Sequence, residues 1–424
     1  MQLAIRRFVT VVATTLLCPV GLVLSLGANG LPAQGLQLQR PGLPTRLTDA
    51  EFWRFVTDAS EAGGNFPSDN FTSNEMGYPR VLAMLHDAHA TGGAYLGVGP
   101  EQNFSYIAGI QPQIAFIVDI RRQAVMQHLM YKAIFELAKD RADFVSLLFS
   151  KPRPAGLDST TSIANLWEAY WMVPTDTVIY PKNLARIEDD LTKVHHFALD
   201  AADLASLAYV YEAFYRLGPV ISYGGYGPNG TGSSTFTVSS WQPLTSNAGG
   251  TRVVLGGTIS GLIQGTIGGL TVTRTATSLP NQTNVAYYGG VDFAALTAAV
   301  DADGNATGFL GSESAYRFLK DLQSKNLLIP VVGDFAGPKA IRDVGQYVRS
   351  HGATITAFYT SNVEQYLFQN GVAAAFYQNV GSLPTTPASV FIRGGASLCP
   401  IDAFVAAFTA GRITRYQDAV ACVQ

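Results

Sequence analysis

The sequence predicts an α/β fold: a mostly parallel sheet with helices on both faces, a helical insertion and a β-rich insertion rich in Gly, Thr and Ser. Three observations predict it. Residues 94–119 run strand, glycine turn, short helix, strand. Apolar strands again alternate with helices after residue 314. Between these regions, residues 224–289 contain no acidic residue and no lysine. Alternation of strands with helices argues for crossover units and hence parallel pairing. A chain of 424 residues, 47% apolar and 14% charged, can bury one large core. Its net charge of −3 supplies no basic field, which argues against nucleic acid as a partner.

Arg6 and Arg7 precede an uncharged run over residues 8–27, followed by "ANGLPAQG". This pattern predicts a secretory signal over residues 1–27, with Ser25 and Gly27 at the cleavage site. The run is also just long enough to span a bilayer, so an uncleaved anchor is the alternative. Both readings place the body outside, periplasmic or extracellular, because the arginines stay inside. If the leader is not functional, the protein is cytoplasmic. Leu17 is too bulky for lipid attachment at Cys18. Residues 28–46 read as a linker, and residues 47–424 as one domain with its β-rich insertion at 224–289. Without the leader only Cys399 and Cys422 remain; they either pair and pin the tail or stay separate buried thiols.

The first helix is expected at "LTDAEFWRFV", where Thr48 and Glu51 form a capping box and Leu47 can staple onto Phe52. Pro79 marks the start of a second helix, with Val81, Leu82 and Leu85 on one face. Residues 94–98 and 114–119 read as strands around a short helix at 103–109. Met126, Leu129, Met130, Ala133, Ile134 and Leu137 then repeat at helical spacing. Residues 140–217 are mainly helical, with a face of Leu204, Leu207, Tyr211 and Phe214. In the 224–289 insertion, Leu270, Val272 and Arg274 alternate with threonines at strand period; the stretch reads as hairpins or as a low-complexity loop. Further strands are expected at "LLIPVVGDF", "ATITAFYTSN" and "SVFIR", with helices between them and a helical tail after Cys399.

In open parallel sheets, ligands bind beyond the carboxyl ends of the strands, near a topological switch point. That rule selects Gly97, Gly99, Glu101 and Asn103 after the first strand and Asp119 at the end of the second. It also selects Asp334 and Phe335 after a later strand, and Ser361, Asn362 and Glu364 after the next. Asp69, Asn70, Asn74 and Glu75 lie in a polar loop before the first strand that either closes over a ligand or is plain surface. Asp119 is either a ligand contact or a helix cap, Glu101 a ligand contact or a support of the turn, and Asp334 a catalytic group or a helix start. Glycine lets the backbone approach a ligand closely. A carboxylate about 20 residues beyond such a turn commonly accepts from ribose hydroxyls.

The turn and its carboxylate resemble motif I of the class I S-adenosylmethionine-dependent methyltransferases, which have a Rossmann-like core. Gly97 takes the acidic position of that motif, Gly99 its first glycine, and Glu101 and Asn103 replace the other two; Asp119 matches the ribose-binding acid. The segments "GVGPEQNFSYIA", "FIVDIRR", "HLMYKAIFELAKDRADFVSLLFS", "VVGDFAGPKA" and "AFYTSNVEQYL" look like an uncharacterised bacterial family with a methyltransferase-like core. The likeness covers roughly residues 47–223 and 287–420. This likeness implies the fold and leaves the function open; the likeness to motif I implies binding of S-adenosylmethionine or a related nucleoside, with Gly97, Gly99 and Asp119 at the nucleoside and Glu101 and Asn103 at the amino-acid portion.

Two other expectations stand beside that one. One is an exported, non-catalytic binding or interaction module that retains the fold. The other is a different exported enzyme using the "DFAGP" and "TSNVEQY" loops. S-adenosylmethionine is kept in the cytosol, so export and methyl transfer conflict. No P-loop and no GxSxG elbow occurs. His86 and His89 lack a third ligand, His195 and His196 point apart, and the "DADGN" turn lacks the glycine and glutamate of a calcium loop, so no metal site is predicted. Nothing in the sequence specifies an oligomeric state.

Overall fold

Two uninterrupted apolar runs set the centre of the sheet. Strands β1 (Ala94–Gly97) and β2 (Ile114–Asp119) are buried at every residue, as strands covered on both faces must be. They pair in parallel, Ala94 opposite Ile114 and Gly97 opposite Ile117. The computed structural model describes residues 42–422 except 67, 172, 222, 395–396 and, between 224 and 290, everything outside five strands. The leader at 1–27 and the linker up to residue 41 therefore lie outside the described residues. Among the described residues, no helix is long and apolar enough to cross a membrane.

The other strands are β3 (Val238–Pro243), β4 (Thr251–Leu255), β5 (Gly261–Ile267), β6 (Leu270–Ala276), β7 (Asn284–Tyr287), β8 (Leu328–Val332), β9 (Ile355–Ser361), β10 (Val390–Arg393) and β11 (Ser397–Pro400). The main sheet has six strands in the order β11-β10-β9-β1-β2-β8. All neighbours are parallel except β10 and β11. Counted along the chain within this sheet and read from the β8 edge, the strands run 3-2-1-4-5-6. The switch point lies between β1 and β9, where connections leave in opposite directions. The fold is thus α/β with a mostly parallel mixed sheet.

Local chemistry explains both edges. Pro330 lies in β8, paired on one side only with Ile117 of β2; proline has no N–H to give a second neighbour. The open side of β8 is partly taken by the chain at 60–61. Glu61 N–H donates to the Val332 carbonyl at 2.9 Å, and Val332 N–H donates to Ser60 Oγ at 3.0 Å. At the other edge, Pro400 ends β11.

Successive residues of a strand point to opposite faces. Phe358 of β9 meets Phe376 in the helix Ala373–Gly381, while its neighbour Tyr359 meets Tyr106 in the helix Gln102–Ile110. Helices therefore cover both sides of β9. The helix Asp49–Ala59 starts at the expected capping box: Thr48 N–H donates to Glu51 Oε2 at 2.8 Å, and Glu51 N–H donates to Thr48 Oγ1 at 3.2 Å. Pro79 sits in the first turn of the helix Tyr78–Asp87. The core between the helices Gln102–Ile110 and Arg122–Leu137 is aromatic, with Phe104 packed 5.2 Å from Tyr131 and 5.5 Å from Phe135.

The helical insertion comprises Arg141–Phe149, Ile163–Trp171, Ile179–Asp189, a π-helical turn Asp190–Val194, and Ala201–Leu217. The later insertion contains strands, as its alternation predicts. β3-β4-β7 form an antiparallel three-stranded sheet, and β5 and β6 an antiparallel pair.

Of the two alternatives for the cysteines, the pair forms. Cys399 in β11 and Cys422 in the tail are joined by a disulfide across 23 residues. Closing a loop of that size in the unfolded chain stabilises the fold by about 3 kcal/mol. Cys422→Ser is expected to lose stability of that order in urea denaturation, and reductant to bring the parent protein down to the level of the variant. Equal stability of both proteins without reductant would show that the bond does not restrain the tail.

Candidate functional site

Parallel pairing brings the carboxyl ends of β1, β2, β8 and β9 to one rim. A cavity of about 310 Å³ opens there, within the range of small-molecule sites. Residues 98–100 follow β1, residues 119–121 close β2, residues 333–335 follow β8, and residues 361–363 leave β9; all of them line it. The loop before β1 adds Asn65, Phe66, Asn70, Ser73 and Asn74. Aromatic side chains dominate the remaining wall: Phe66 and Tyr366 meet edge to face at 5.2 Å, joined by Tyr223, Phe335 and Tyr359.

Asp119 and Arg121 organise this rim. Both are nearly inaccessible, 5% and 6% exposed. Arg121 Nε donates to Asp119 Oδ1 at 3.1 Å and Nη2 donates to Oδ2 at 3.0 Å, a planar two-point pairing. Arg121 backbone N–H also donates to Oδ1 at 3.0 Å, so the carboxylate shapes the turn into the helix Arg122–Leu137. Arg121 Nη1 reaches across to the carbonyls of Ser68 and Asp69. One ion pair thus ties the end of β2 to the loop that forms the facing wall. A carboxylate has about four acceptor sites, so one remains on Asp119 for a ligand donor.

The glycine turn is held from beneath. Asn103 Nδ2 donates to the carbonyls of Val98, Gly99 and Pro100 at 2.9, 3.0 and 2.7 Å. His128 Nε2 lies 2.9 Å from the Gly99 carbonyl. Burial keeps His128 neutral well below its ordinary range, at about 4. Gly97 is required by this packing: a Cβ there would lie 2.0 Å from Asn103 Oδ1. Gly99 has φ +77°, and its own requirement is conformational, since a Cβ would meet nothing within 4 Å. Gly99 lines the cavity, whereas Gly97 and Asn103 sit behind the turn.

Glu101 also faces inward, 1% exposed. Its Oε1 accepts from Thr72 Oγ1 and, at 3.0 Å, from Ser73 N–H, which fixes the loop carrying Ser73 and Asn74. Glu101 therefore supports the cavity wall from behind. Burial pushes its carboxyl up to about 7, against the opposing hydrogen bonds from Thr72 and Ser73.

At the end of β9, Ser361 takes φ +49°, a left-handed conformation unusual for a residue with a side chain. Its hydroxyl donates to Glu75 Oε1 at 2.5 Å. Burial raises the Glu75 carboxyl, with hydrogen bonds from Ser361 and Tyr359 pulling the other way. Glu75 thus stands behind Ser361 rather than on the wall. Glu364, 1% exposed, is an ion-pair partner of Arg393 at 2.5 and 3.1 Å and accepts from Tyr377 Oη at 2.5 Å. Asp334 lines the cavity while its Oδ1 accepts from Ala336 N–H at 2.9 Å; Phe335 and Asn362 line it too. Asp69 accepts from Gln123 Nε2 at 3.2 Å and Tyr209 Oη at 3.0 Å, outside the lining.

The structure thus gathers Gly99, Asp119, Asn70, Asn74, Asp334, Phe335, Ser361 and Asn362 around one cavity, and leaves Gly97, Glu101, Asn103, Asp69, Glu75 and Glu364 off its surface. Arg121 and the wall aromatics Phe66, Tyr223, Tyr359 and Tyr366 were not singled out by the strand-end rule, whereas Phe335 was. Arg121 carried a signal: a basic residue two places after a strand-end acid, in "VDIRR".

Glu101 gives the fold a pH dependence. Its folded carboxyl, at about 7, holds a proton more tightly than the ordinary 4.5 of an unfolded chain. That stability is fully present below pH 4.5 and is lost as pH rises through 7. Glu101→Gln is expected to gain roughly 2–3 kcal/mol on the parent protein between pH 5 and pH 8 in urea denaturation. An identical pH profile for both proteins would contradict the assignment.

Among curated proteins, none matches the chain. A family model described as "Domain of unknown function (DUF7790)" matches residues 70–170 and 292–407. These two segments carry all six strands of the main sheet and all four strand ends that line the cavity. The chain belongs to this family, the domain of unknown function DUF7790.

Proposed function

We propose that the protein binds a nucleoside-type small molecule in the cavity at the carboxyl rim of a Rossmann-like sheet, with S-adenosylmethionine as the specific candidate. The observation that carries the reading is the meeting of Gly99 and Asp119 at one cavity beside the β1–β9 switch point. The strand order 3-2-1-4-5-6 is that of dinucleotide-binding Rossmann sheets, here with the last strand reversed. Phe66, Tyr366, Phe335, Tyr359 and Tyr223 offer flat apolar faces suited to a purine. The remaining acceptor site of Asp119 suits a ribose hydroxyl, and the one N–H of Arg121 not given to Asp119, Ser68 or Asp69 suits a carboxylate or phosphate oxygen. If the ligand is S-adenosylmethionine, methyl transfer needs mainly positioning, because the sulfonium already activates its methyl group.

One observation favours a second reading, an exported, non-catalytic binding module that retains the fold. The Cys399–Cys422 disulfide is at home in an oxidising compartment, in agreement with the arginine-led apolar leader. There the ligand would be a nucleoside other than S-adenosylmethionine.

Calorimetric titration with S-adenosylmethionine and with adenosine tests both. Saturable binding of S-adenosylmethionine, weakened at least tenfold in Tyr366→Ala and in Asp119→Ala, is the expected result for the first reading. Binding of adenosine alone supports the second. No heat with either compound removes the nucleoside proposal.

A further inference from the structure

At the far end of the helix Arg122–Leu137 lies a second cluster of polar groups, unrelated to the cavity. Glu136 is fourteen residues beyond Arg122, so a rise of 1.5 Å per residue places it about 21 Å from the rim. His195 is its centre. His195 Nδ1 lies 2.9 Å from Asp49 Oδ1, His195 Nε2 lies 2.6 Å from Glu136 Oε2, and Asp190 Oδ2 is 3.7 Å from the same nitrogen. Asp190, only 9% exposed, directs this oxygen at the imidazole with no hydrogen-bond partner.

We propose that Glu136, Asp190 and His195 hold a divalent transition-metal ion, zinc above all, and that Asp49 is the outer carboxylate that orients the imidazole. Four arguments carry this. The three ligand atoms lie within 4.8 Å of one another. An ion about 2.0–2.2 Å from each ligand wants them roughly 3.4 Å apart, and the separations of 2.6 and 3.7 Å to His195 Nε2 bracket that distance. Second, metal-bound histidines almost always donate their other ring N–H to a carboxylate or carbonyl. Asp49 occupies that place, and Nε2, which donates to Glu136 Oε2 at 2.6 Å in the metal-free protein, offers its lone pair once an incoming ion displaces that proton.

Third, the charges match. The carboxylates of Asp49, Glu136 and Asp190 surround the ammonium of Lys132, which donates to Glu136 Oε1 at 2.6 Å, to Asn326 Oδ1 at 2.6 Å and to the Gln323 carbonyl at 2.7 Å. Three carboxylates act on Lys132, and even with Lys320 acting on Glu136 from the side they leave surplus negative charge for a cation to neutralise, while Lys132 fixes Glu136 so that its other oxygen faces His195. Fourth, the backbone is shaped for the site. Residues five apart stand about 140° apart on an α-helix. Here the turn Asp190–Val194 is π-helical, and His195 N–H donates to the Asp190 carbonyl at 3.0 Å. The i→i+5 turn brings Asp190 and His195 onto one face, and such turns often mark functional positions. A nitrogen with two carboxylates suits zinc better than magnesium, which prefers oxygen alone. The ion would join the start of the helix Asp49–Ala59, the end of Arg122–Leu137 and the π turn, as a structural clamp.

The full-length protein, stripped with chelator, is dialysed against zinc and separately against magnesium. One zinc per chain is expected, with Tm raised by about 2 °C or more by zinc and not by magnesium. His195→Ala and Asp190→Asn should each weaken zinc uptake at least tenfold. Asp190→Asn keeps the shape of a side chain whose Oδ2 accepts no hydrogen bond, and a zinc-free urea midpoint matching the parent's is expected to separate loss of zinc from unfolding. His86→Ala, which removes an exposed histidine near His89, should bind as the parent does. No zinc uptake, uptake unchanged in Asp190→Asn, or uptake lost in His86→Ala overturns the proposal.

Discussion

The buried pair of Asp119 and Arg121 is the interaction on which the cavity depends. A parallel sheet gathers its strand ends at one rim, but a rim is open on its far side. Here that side is closed by the loop carrying Asn65, Phe66, Asn70, Ser73 and Asn74. Arg121 holds the loop by its carbonyls while Asp119 holds Arg121. Breaking a buried ion pair from one side leaves an uncompensated charge, with typical costs of about 3–5 kcal/mol. The clamp therefore couples the shape of the pocket to the stability of the carboxyl end of β2. Glu101 adds a second tie to the same loop, from below the glycine turn.

Much of the fold was legible because its signals are local. The capping box at Thr48 and Glu51 involves neighbours in sequence, and it formed as written. The apolar run 114–119 has too few polar residues to face water on either side, and β2 lies between β1 and β8 inside the sheet. The run "LLIPVVGDF" reads as a strand, and its edge position emerges only in the sheet, where Pro330 has one neighbour, in keeping with its missing N–H. The cysteine pair was not decidable from sequence, because whether two thiols meet depends on the separation of their Cα atoms, which is 5.8 Å here. Strand order was likewise hidden: nothing local in "ATITAFYTSN" says that it pairs with β1 rather than with β8.

The site was legible to the extent that topology determines it. The rule of strand ends reached Gly99, Asp119, Asp334 and Ser361 because it asks only where a residue falls along its strand. It could not say which way a polar side chain turns. Glu101 turns toward Thr72, Glu364 toward Arg393, and Glu75 toward Ser361, each toward a partner at least 28 residues away in sequence. The cluster around His195 was beyond reach for the same reason. Its groups come from residues 49, 136, 190 and 195, and the adjacent pair His195–His196 conceals a π turn that only backbone hydrogen bonds reveal.

The clamp is tested most directly by hydrogen exchange in Arg121→Met, which keeps the bulk of the side chain and removes its donors. Amides of residues 65–74 should exchange markedly faster than in the parent protein, while those of β1 and β9 keep their protection. Unchanged exchange in that loop would mean that its position does not depend on Arg121, and the account of how the cavity is formed would fail.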